Sequence, residues 1–481
     1  MYLCIHTPNQ TKRLEQHCVP FLFFVFSERK NYSLSSQPAN GYEHQSGNGF
    51  NHQDHNSQNA DGLETNALPT PIANPQIVYT KVFIGNEWHE SCSGRKIPVY
   101  NPTTEKLLCE VEEADSDDVD KAVRSARAAF QMGSPWRSMD ASDRGHLLNR
   151  LADLVERDRL LLATLEALNC GKVFLVAYFV DLMATIKTLR YYSGWADKIH
   201  GKTIPVGELN SFFFYLDQRL HVFPYLKPSV GKLIQKAAGE SNLKRVTLEL
   251  GGKNPNIVFA DCDLEYAVEQ AHSGLFFNQG QCCLAGSRVF VEEPIYEEFV
   301  RRSVEKARSK VLGNPLLPGV DQGPQINQKQ FNKIMELIES GKREGATLEC
   351  GGSPGGQQGL FIQPTVFSNV RDHMRIAKEE IFGPVQQIMC FRSISEVIER
   401  ANATQYGLAA GVFTNDINKA LTVSSALQAG MVWVNCYNAM SIQCPFGGFK
   451  MSGNGRELGE YALQEYTEIK AVTIRISQKS S

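Results

Sequence analysis

An α/β fold is predicted for this 481-residue chain by three features of its sequence. Short apolar strand segments and helix-length amphipathic segments alternate from Val78 to about residue 435, the order from which sheets layered with helices are built. The apolar run Val289 to Val291 is followed by Pro294, which opens a segment with Ile295, Phe299, Val300, Val304, Ala307 and Val311 at helical spacing, a strand-then-helix unit. In Arg245 to Pro255 (RVTLELGGKNP), Val246, Leu248 and Leu250 alternate with Thr247 and Glu249 before a glycine pair, so a strand ends in a tight turn with its carboxylate on the second face.

The chain offers 42% apolar residues and a net charge of −3 with both signs interspersed. That is enough for a large core and gives no basic stripe for nucleic acid. No stretch holds the roughly 18 uncharged apolar residues of a membrane span. Twelve cysteines are scattered without metal-like CxxC pairs, and the adjacent Cys282 and Cys283 are unsuited to a regular bridge. A reducing, cytoplasmic compartment and no metal follow as expectations.

Val19 to Phe26 is an apolar run, but Pro20 interrupts it and Ser27-Glu28-Arg29-Lys30 follows where a leader would have small residues, which argues against a secretory signal. Asn31 to Gln76 is rich in Asn, Gln, Ser, Gly and His, so residues 1–76 are expected to form a disordered extension. Val78 to Tyr100 reads as two short strands joined at Gly85-Asn86, and Ser116 and Ser142 as caps of two amphipathic helices. The continuous apolar run Val173 to Val180 predicts a buried helix. Asp261 or Asp263 caps a helix with Leu264, Ala267, Val268, Ala271 and Leu275 on one face, which leads into Phe276 to Arg288, FFNQGQCCLAGSR. There two thiols follow a glycine turn. A thiolate nucleophile needs a group that moves a proton, and Glu249 beside its glycine pair is the candidate base for Cys283. Gly351 to Gly359 and Gly453 to Gly455 read as loops, and Val472, Ile474 and Ile476 as one face of an edge strand.

The LELGG and GQCC segments resemble the glutamate and cysteine signatures of the aldehyde dehydrogenase superfamily, and the surrounding text is similar to its cytosolic retinal dehydrogenase class. The resemblance covers about four fifths of the chain. It implies Cys283 as nucleophile and Glu249 as the base that activates water. It further implies Gln330 and Lys333, in QGPQINQKQFNK, near a cofactor ribose. Glu380, in KEEIFGPV, matches the carboxylate on the nicotinamide ribose, and Phe382 packs near the ring. The implied reaction is NAD- or NADP-dependent oxidation of a hydrophobic, retinal-like aldehyde to a carboxylic acid by a homo-oligomer, dimer or tetramer, whose C-terminal strand completes a neighbour's sheet.

One stretch breaks the pattern. Gly207 to Ser229 is too short for the successive βαβ units of a mononucleotide-binding half. In the family that place holds the PWN segment with an oxyanion-hole Asn, the KPAE segment that holds the adenosine ribose, and most of the FTGSTE turn. The expected organisation is therefore an aldehyde dehydrogenase-like α/β chain. Residues 77–250 form a truncated Rossmann-type cofactor domain with an aberrant join at 207–229, 251–450 an α/β catalytic domain, and 451–481 an oligomerisation arm. Two other functions fit such a chain: a cofactor-independent thiol esterase, and a catalytically inactive structural subunit. A mis-spliced or mis-predicted transcript would also produce the join.

Overall fold

The computed structural model describes residues 68–206, 210–218, 225–226, 228–356 and 358–475. Most of the expected N-terminal extension lies outside the described residues.

β1 (Val82–Ile84) and β2 (Glu87–His89) form an antiparallel hairpin. Gly85 and Asn86 take φ of 62° and 69°, the positive values that let a tight turn follow the twist of the strands. A third strand, β3 (Lys96–Tyr100), pairs with β4 (Leu107–Glu112), so the expectation of two strands over Val78–Tyr100 is one short. Helix Ser116–Phe130 is capped by Asp115, not Ser116, and helix Ala141–Arg157 by Asp140, not Ser142. In both cases a carboxylate just upstream accepts a first-turn N–H, a stronger acceptor than a hydroxyl.

Helices Ala141–Arg157, Arg159–Cys170 and Leu182–Ser193 share a core that includes Ala152, Leu162, Phe174 and Ile186. The Val173–Val180 run is not a uniformly buried helix. A short α-turn at Phe174–Val176 passes into a π-turn at Ala177–Asp181. Phe174 and Ala177 are buried while Phe179 and Val180 are about half exposed, with the Arg159 guanidinium 3.8 Å from the Tyr178 ring. A cation stacked on the aromatic belt lets one side of an apolar run face outward.

β5 (Thr203–Val206) pairs with β6 (Asn210–Gln218). Beyond it, β7 (Tyr225–Leu226), helix Pro228–Ser241 and β8 (Leu248–Leu250) make one parallel βαβ unit, with strands of two and three residues.

The large sheet has seven strands: β9 (Pro255–Val258), β10 (Arg288–Glu292), β11 (Thr347–Cys350), β12 (Thr365–Ser368), β13 (Val385–Phe391), β14 (Ala409–Phe413) and β15 (Met431–Val434). Their order is β11-β12-β13-β10-β9-β14-β15, parallel except for β11 on β12. The central strands are buried on both faces, as parallel strands between helix layers are. Ile257 and Phe290 face one core with Ile334 and Leu337, and Val258 and Val289 face the other with Ala271 and Leu275. Helix Tyr296–Ser309 starts after a 3₁₀ turn at Glu293–Ile295 and ends before Val311, which is half exposed. β16 (Gly453–Asn454) lies antiparallel on β8, with Gly453 opposite Glu249, so the segment read as a loop is a strand that covers the candidate base. β17 (Thr467–Arg475) pairs along all of β6 and is an edge of its three-stranded sheet, as its alternation predicted.

Candidate active site

Three segments converge because each precedes a neighbouring parallel strand. Residues 249–254 lead into β9, 278–287 into β10 and 380–384 into β13, and the register sets Arg288 opposite both Pro255 and Gln387. The site therefore lies at the amino ends of these strands, whereas ligands in open α/β sheets ordinarily bind beyond the carboxyl ends.

Asp263 accepts the Tyr266 N–H and starts helix Leu264–Phe276, settling the choice between Asp261 and Asp263. The chain then enters a turn in which Asn278 (φ 52°, ψ 40°), Gln279 (φ 57°, ψ 27°) and Gly280 (φ 71°) are all left-handed. A non-glycine residue there costs roughly 1–2 kcal/mol, so the turn is held by its surroundings. A Cβ on Gly280 would sit 2.1 Å from the Gly383 carbonyl oxygen, which explains the glycine.

Cys282 and Cys283 are both free and partly buried, and their side chains hydrogen-bond to one another. That contact and burial, followed by the negative charge on Cys282 and then by Glu249 and Glu380 when they are ionised, push the Cys283 thiol well above its usual value. The proton stays on Cys283, and the Leu284 N–H helps stabilise negative charge on Cys282. The lowered thiol expected of a nucleophile is thus not found at Cys283 in this arrangement, because the contact with Cys282 and burial favour its neutral form.

Glu249 is 4% exposed and neither carboxylate oxygen has a partner. Burial, then the Glu457 charge, push its carboxyl up to about 9, so it is a neutral acid at pH 7. Glu380 accepts the Gly252 N–H at 3.0 Å, and a Cβ on Gly251 would stand 2.3 Å from either Glu380 carboxylate oxygen. The glycine pair is what lets the two carboxylate segments approach.

Two contributors were not singled out from the sequence. Asn254, 1% exposed, donates from Nδ2 to the carbonyls of Cys283 (2.8 Å) and Ala285 (2.9 Å) and accepts the Ala409 N–H at 3.0 Å. Tyr437 donates its hydroxyl to the Leu284 carbonyl at 2.7 Å. The polar Asn254 between a glycine turn and Pro255 was a visible signal; Tyr437 had none, since it reaches the turn from far along the chain.

Gln330 donates from Nε2 to the Ile381 and Phe382 carbonyls, 2.9 Å each, and Lys333 donates to the Glu380 carbonyl. Both steady the loop that carries Glu380 and Phe382, and Phe382 is left-handed at φ 59°. A cavity of ≈ 10 Å³ opens among Gly252, Leu275, Gly280, Cys282, Glu380 and Phe382, about the room of one water. Among the described residues no group of histidine, cysteine and carboxylate side chains could hold a metal, and no helix is long and apolar enough to cross a membrane.

At the amino ends of a parallel sheet the fold thus brings together a thiol, a buried carboxyl and a glycine-walled carboxylate. The chain belongs to the aldehyde dehydrogenase family, whose sequence profile matches residues 88–219 and 227–472. It is similar to aldehyde dehydrogenase 1A1 of Ovis aries, with 58% identity over 495 residues that cover 86% of this chain and 98% of the relative. Retinal dehydrogenase 2 of Homo sapiens is 57% identical over 494 residues, covering 86% and 95%. The structure of the NAD+ complex of aldehyde dehydrogenase from Bacillus cereus superposes with a TM-score of 0.81 at 37% identity, covering 84% of this chain and 100% of that one. An alignment of 495 residues that engages 86% of 481, about 414, leaves roughly 80 positions of the sheep relative with no counterpart. The profile match breaks between 219 and 227, inside the expected join.

The described residues fit one end of a nicotinamide dinucleotide and not the other. The Gly251–Gly252 turn and the Glu380 carboxylate beside Cys283 suit a ribose and ring. The pyrophosphate and adenosine need the successive strands and helix N-termini of a complete βαβαβ half, and among the described residues one unit opening on a two-residue strand stands there.

Proposed function

We propose that this chain is an impaired NAD(P)-dependent aldehyde dehydrogenase for a hydrophobic, retinal-like aldehyde, working through a thioester on Cys283. The observation that carries this reading is the placement of the buried Glu249 carboxyl within electrostatic reach of Cys283. The NAD+ complex of the B. cereus relative and the names of the vertebrate relatives support the cofactor and the substrate class.

When bound, the cofactor supplies a hydride acceptor. The chain's own residues supply the remainder. Cys283, once deprotonated, adds to the aldehyde carbonyl. The oxyanion meets the Cys283 N–H alone, since the PWN asparagine is missing, and losing one such donor costs about 3 kcal/mol of transition-state stabilisation. Glu249 accepts a proton from the water that hydrolyses the thioester. Because its carboxyl titrates near 9, that step speeds up as pH approaches 9.

The division at residues 250 and 450, a cytoplasmic location and assembly into dimers or tetramers through β17 belong to the same reading. A single βαβ unit where a dinucleotide needs several favours a second one, hydrolysis of activated esters by the same two residues without cofactor. Assaying the purified chain with a long-chain aldehyde and NAD+, and separately with p-nitrophenyl acetate and no cofactor, decides between them. NADH formation above background supports the dehydrogenase; ester turnover alone supports the esterase. No Cys283 adduct in either assay rejects both and leaves an inactive subunit.

A further inference from the structure

We infer that Gln279 is a positioning residue for Cys283, its side-chain amide clamping the left-handed turn before the thiols to the carbonyl of Gly171; the inference rests on Cys283 being the nucleophile. Gln279 is 2% exposed, and its Nε2 donates to Gly171 O. Buried amides find partners because leaving them bare is costly. The receiving carbonyl is fixed. Gly171 is the left-handed C-cap of helix Arg159–Cys170, with φ 75° and its N–H on the Ala167 carbonyl at 3.1 Å. A Cβ on Gly171 would lie 2.7 Å from Pro324, and one on Gly323 would lie 1.9 Å from Gly171 O and 2.8 Å from Gln279 Nε2, so the helix end, the turn and the Gly323–Pro324 segment are packed without slack.

The neighbours of Gln279 repeat the arrangement. Gln281 accepts the Ile326 N–H on Oε1 at 3.0 Å, and Asn278 donates from Nδ2 to the Gln281 carbonyl at 3.0 Å. These bonds hold a backbone that non-glycine residues would leave if released. The turn fixes the direction in which the following Cys282 and Cys283 emerge, and Gly280 seats it against the loop bearing Glu380. A reacting thiol must be held within a fraction of an ångström, and Gln279 is the residue that transmits the rigidity of the helix end to it.

The test compares the parent chain with Gln279→Met, Gln279→Glu and Gln279→Gly, using limiting iodoacetamide, site-resolved mass spectrometry and thermal melting. In Gln279→Met the ratio of Cys283 to Cys282 adducts is expected to fall about tenfold; simple loosening of the fold would raise both thiols together. Gln279→Glu should keep a parent-like ratio while burial and the Gly171 carbonyl hold its carboxyl protonated as a donor, and show the fall where alkaline pH ionises it. Gln279→Gly adopts the left-handed turn without strain but has no amide, so it should behave like Gln279→Met even if it melts at the parent temperature. A parent-like ratio in Gln279→Gly, or ratios within about twofold of the parent in all three, overturns the clamp. An absent Cys283 adduct in the parent overturns the nucleophile assignment and this inference with it.

Discussion

The Glu380 carboxylate accepts the Gly252 N–H at 3.0 Å, which fastens the loop before β13 to the turn after Glu249. The contact exists because Gly251 has no side chain. Gly251→Ala would place a methyl 2.3 Å from both carboxylate oxygens, and Glu380, being the end of a flexible side chain, would swing away. Gly252→Ala would meet the Cys283 backbone oxygen at 2.6 Å, which cannot yield as cheaply. Gly251→Ala is expected to fold within about 1 kcal/mol of the parent and Gly252→Ala to lose about 1–3 kcal/mol. Urea titrations check the order, and equal losses would show that the side chain and the backbone are equally stiff.

Cys282 holds the Cys283 proton in place through their mutual hydrogen bond. Cys283 alkylation in the parent is therefore expected to keep rising into the alkaline range, and Cys282→Ala to move that rise to lower pH by removing the first cause of the shift. Rates of iodoacetamide capture at Cys283 across a pH series test this. An unmoved profile would mean that burial and the carboxylates alone set the thiol.

Glu249→Gln keeps the shape of the side chain and removes the base. Burst acylation by p-nitrophenyl acetate should survive while steady-state hydrolysis falls by about 10²-fold or more. Acyl-enzyme should accumulate. Equal loss in both phases assigns Glu249 another role.

The same substitution has a stability signature. Folded Glu249 keeps its proton to about pH 9, whereas the unfolded carboxyl releases it near 4.5. The folded state then binds more protons between those values, so stability falls as pH rises through that window and levels above it. At one pKa unit per 1.36 kcal/mol, the loss at pH 7 is up to about 3 kcal/mol. Glu249→Gln should abolish this part of the decline between pH 5 and 8 in thermal melts. Parallel curves for parent and variant would show that the carboxyl is ionised in the fold.

NAD+ should bind this chain weakly and hydride transfer should be slow even with Cys283 and Glu249 in place. Without pyrophosphate and adenosine contacts the ring is not held at reacting distance, a positioning contribution of about 7–11 kcal/mol in favourable cases. Calorimetric titration with NAD+ and NADH production from a long-chain aldehyde measure both. Micromolar binding with ordinary turnover would mean that a second copy or the residues outside the described set complete the site.

Much of this protein was fixed by local patterns. The alternation of strands and helices, the capped helix that runs into Cys282 and Cys283, the glycine pair after Glu249 and the shortage of chain at 207–229 depend on neighbours in sequence, where periodicity and turn chemistry act. Caps were misplaced by a residue or two because Asp115 and Asp140 compete with the serines beside them, and such competition is decided by geometry. The protonation states were invisible: Glu249 reads as an ordinary carboxylate until β16 covers it and Glu457 approaches, and Cys283 reads as an activated thiol until the fold buries it against Cys282. Asn254 and Ala409, and Tyr437 and Leu284, meet only when parallel strands far apart in sequence are aligned, and Gly171 and Gln279 only when a helix end packs on the turn before the thiols. Side-chain chemistry is carried by the sequence, but dielectric and distance, which decide whether a proton stays or leaves, are properties of the packed whole.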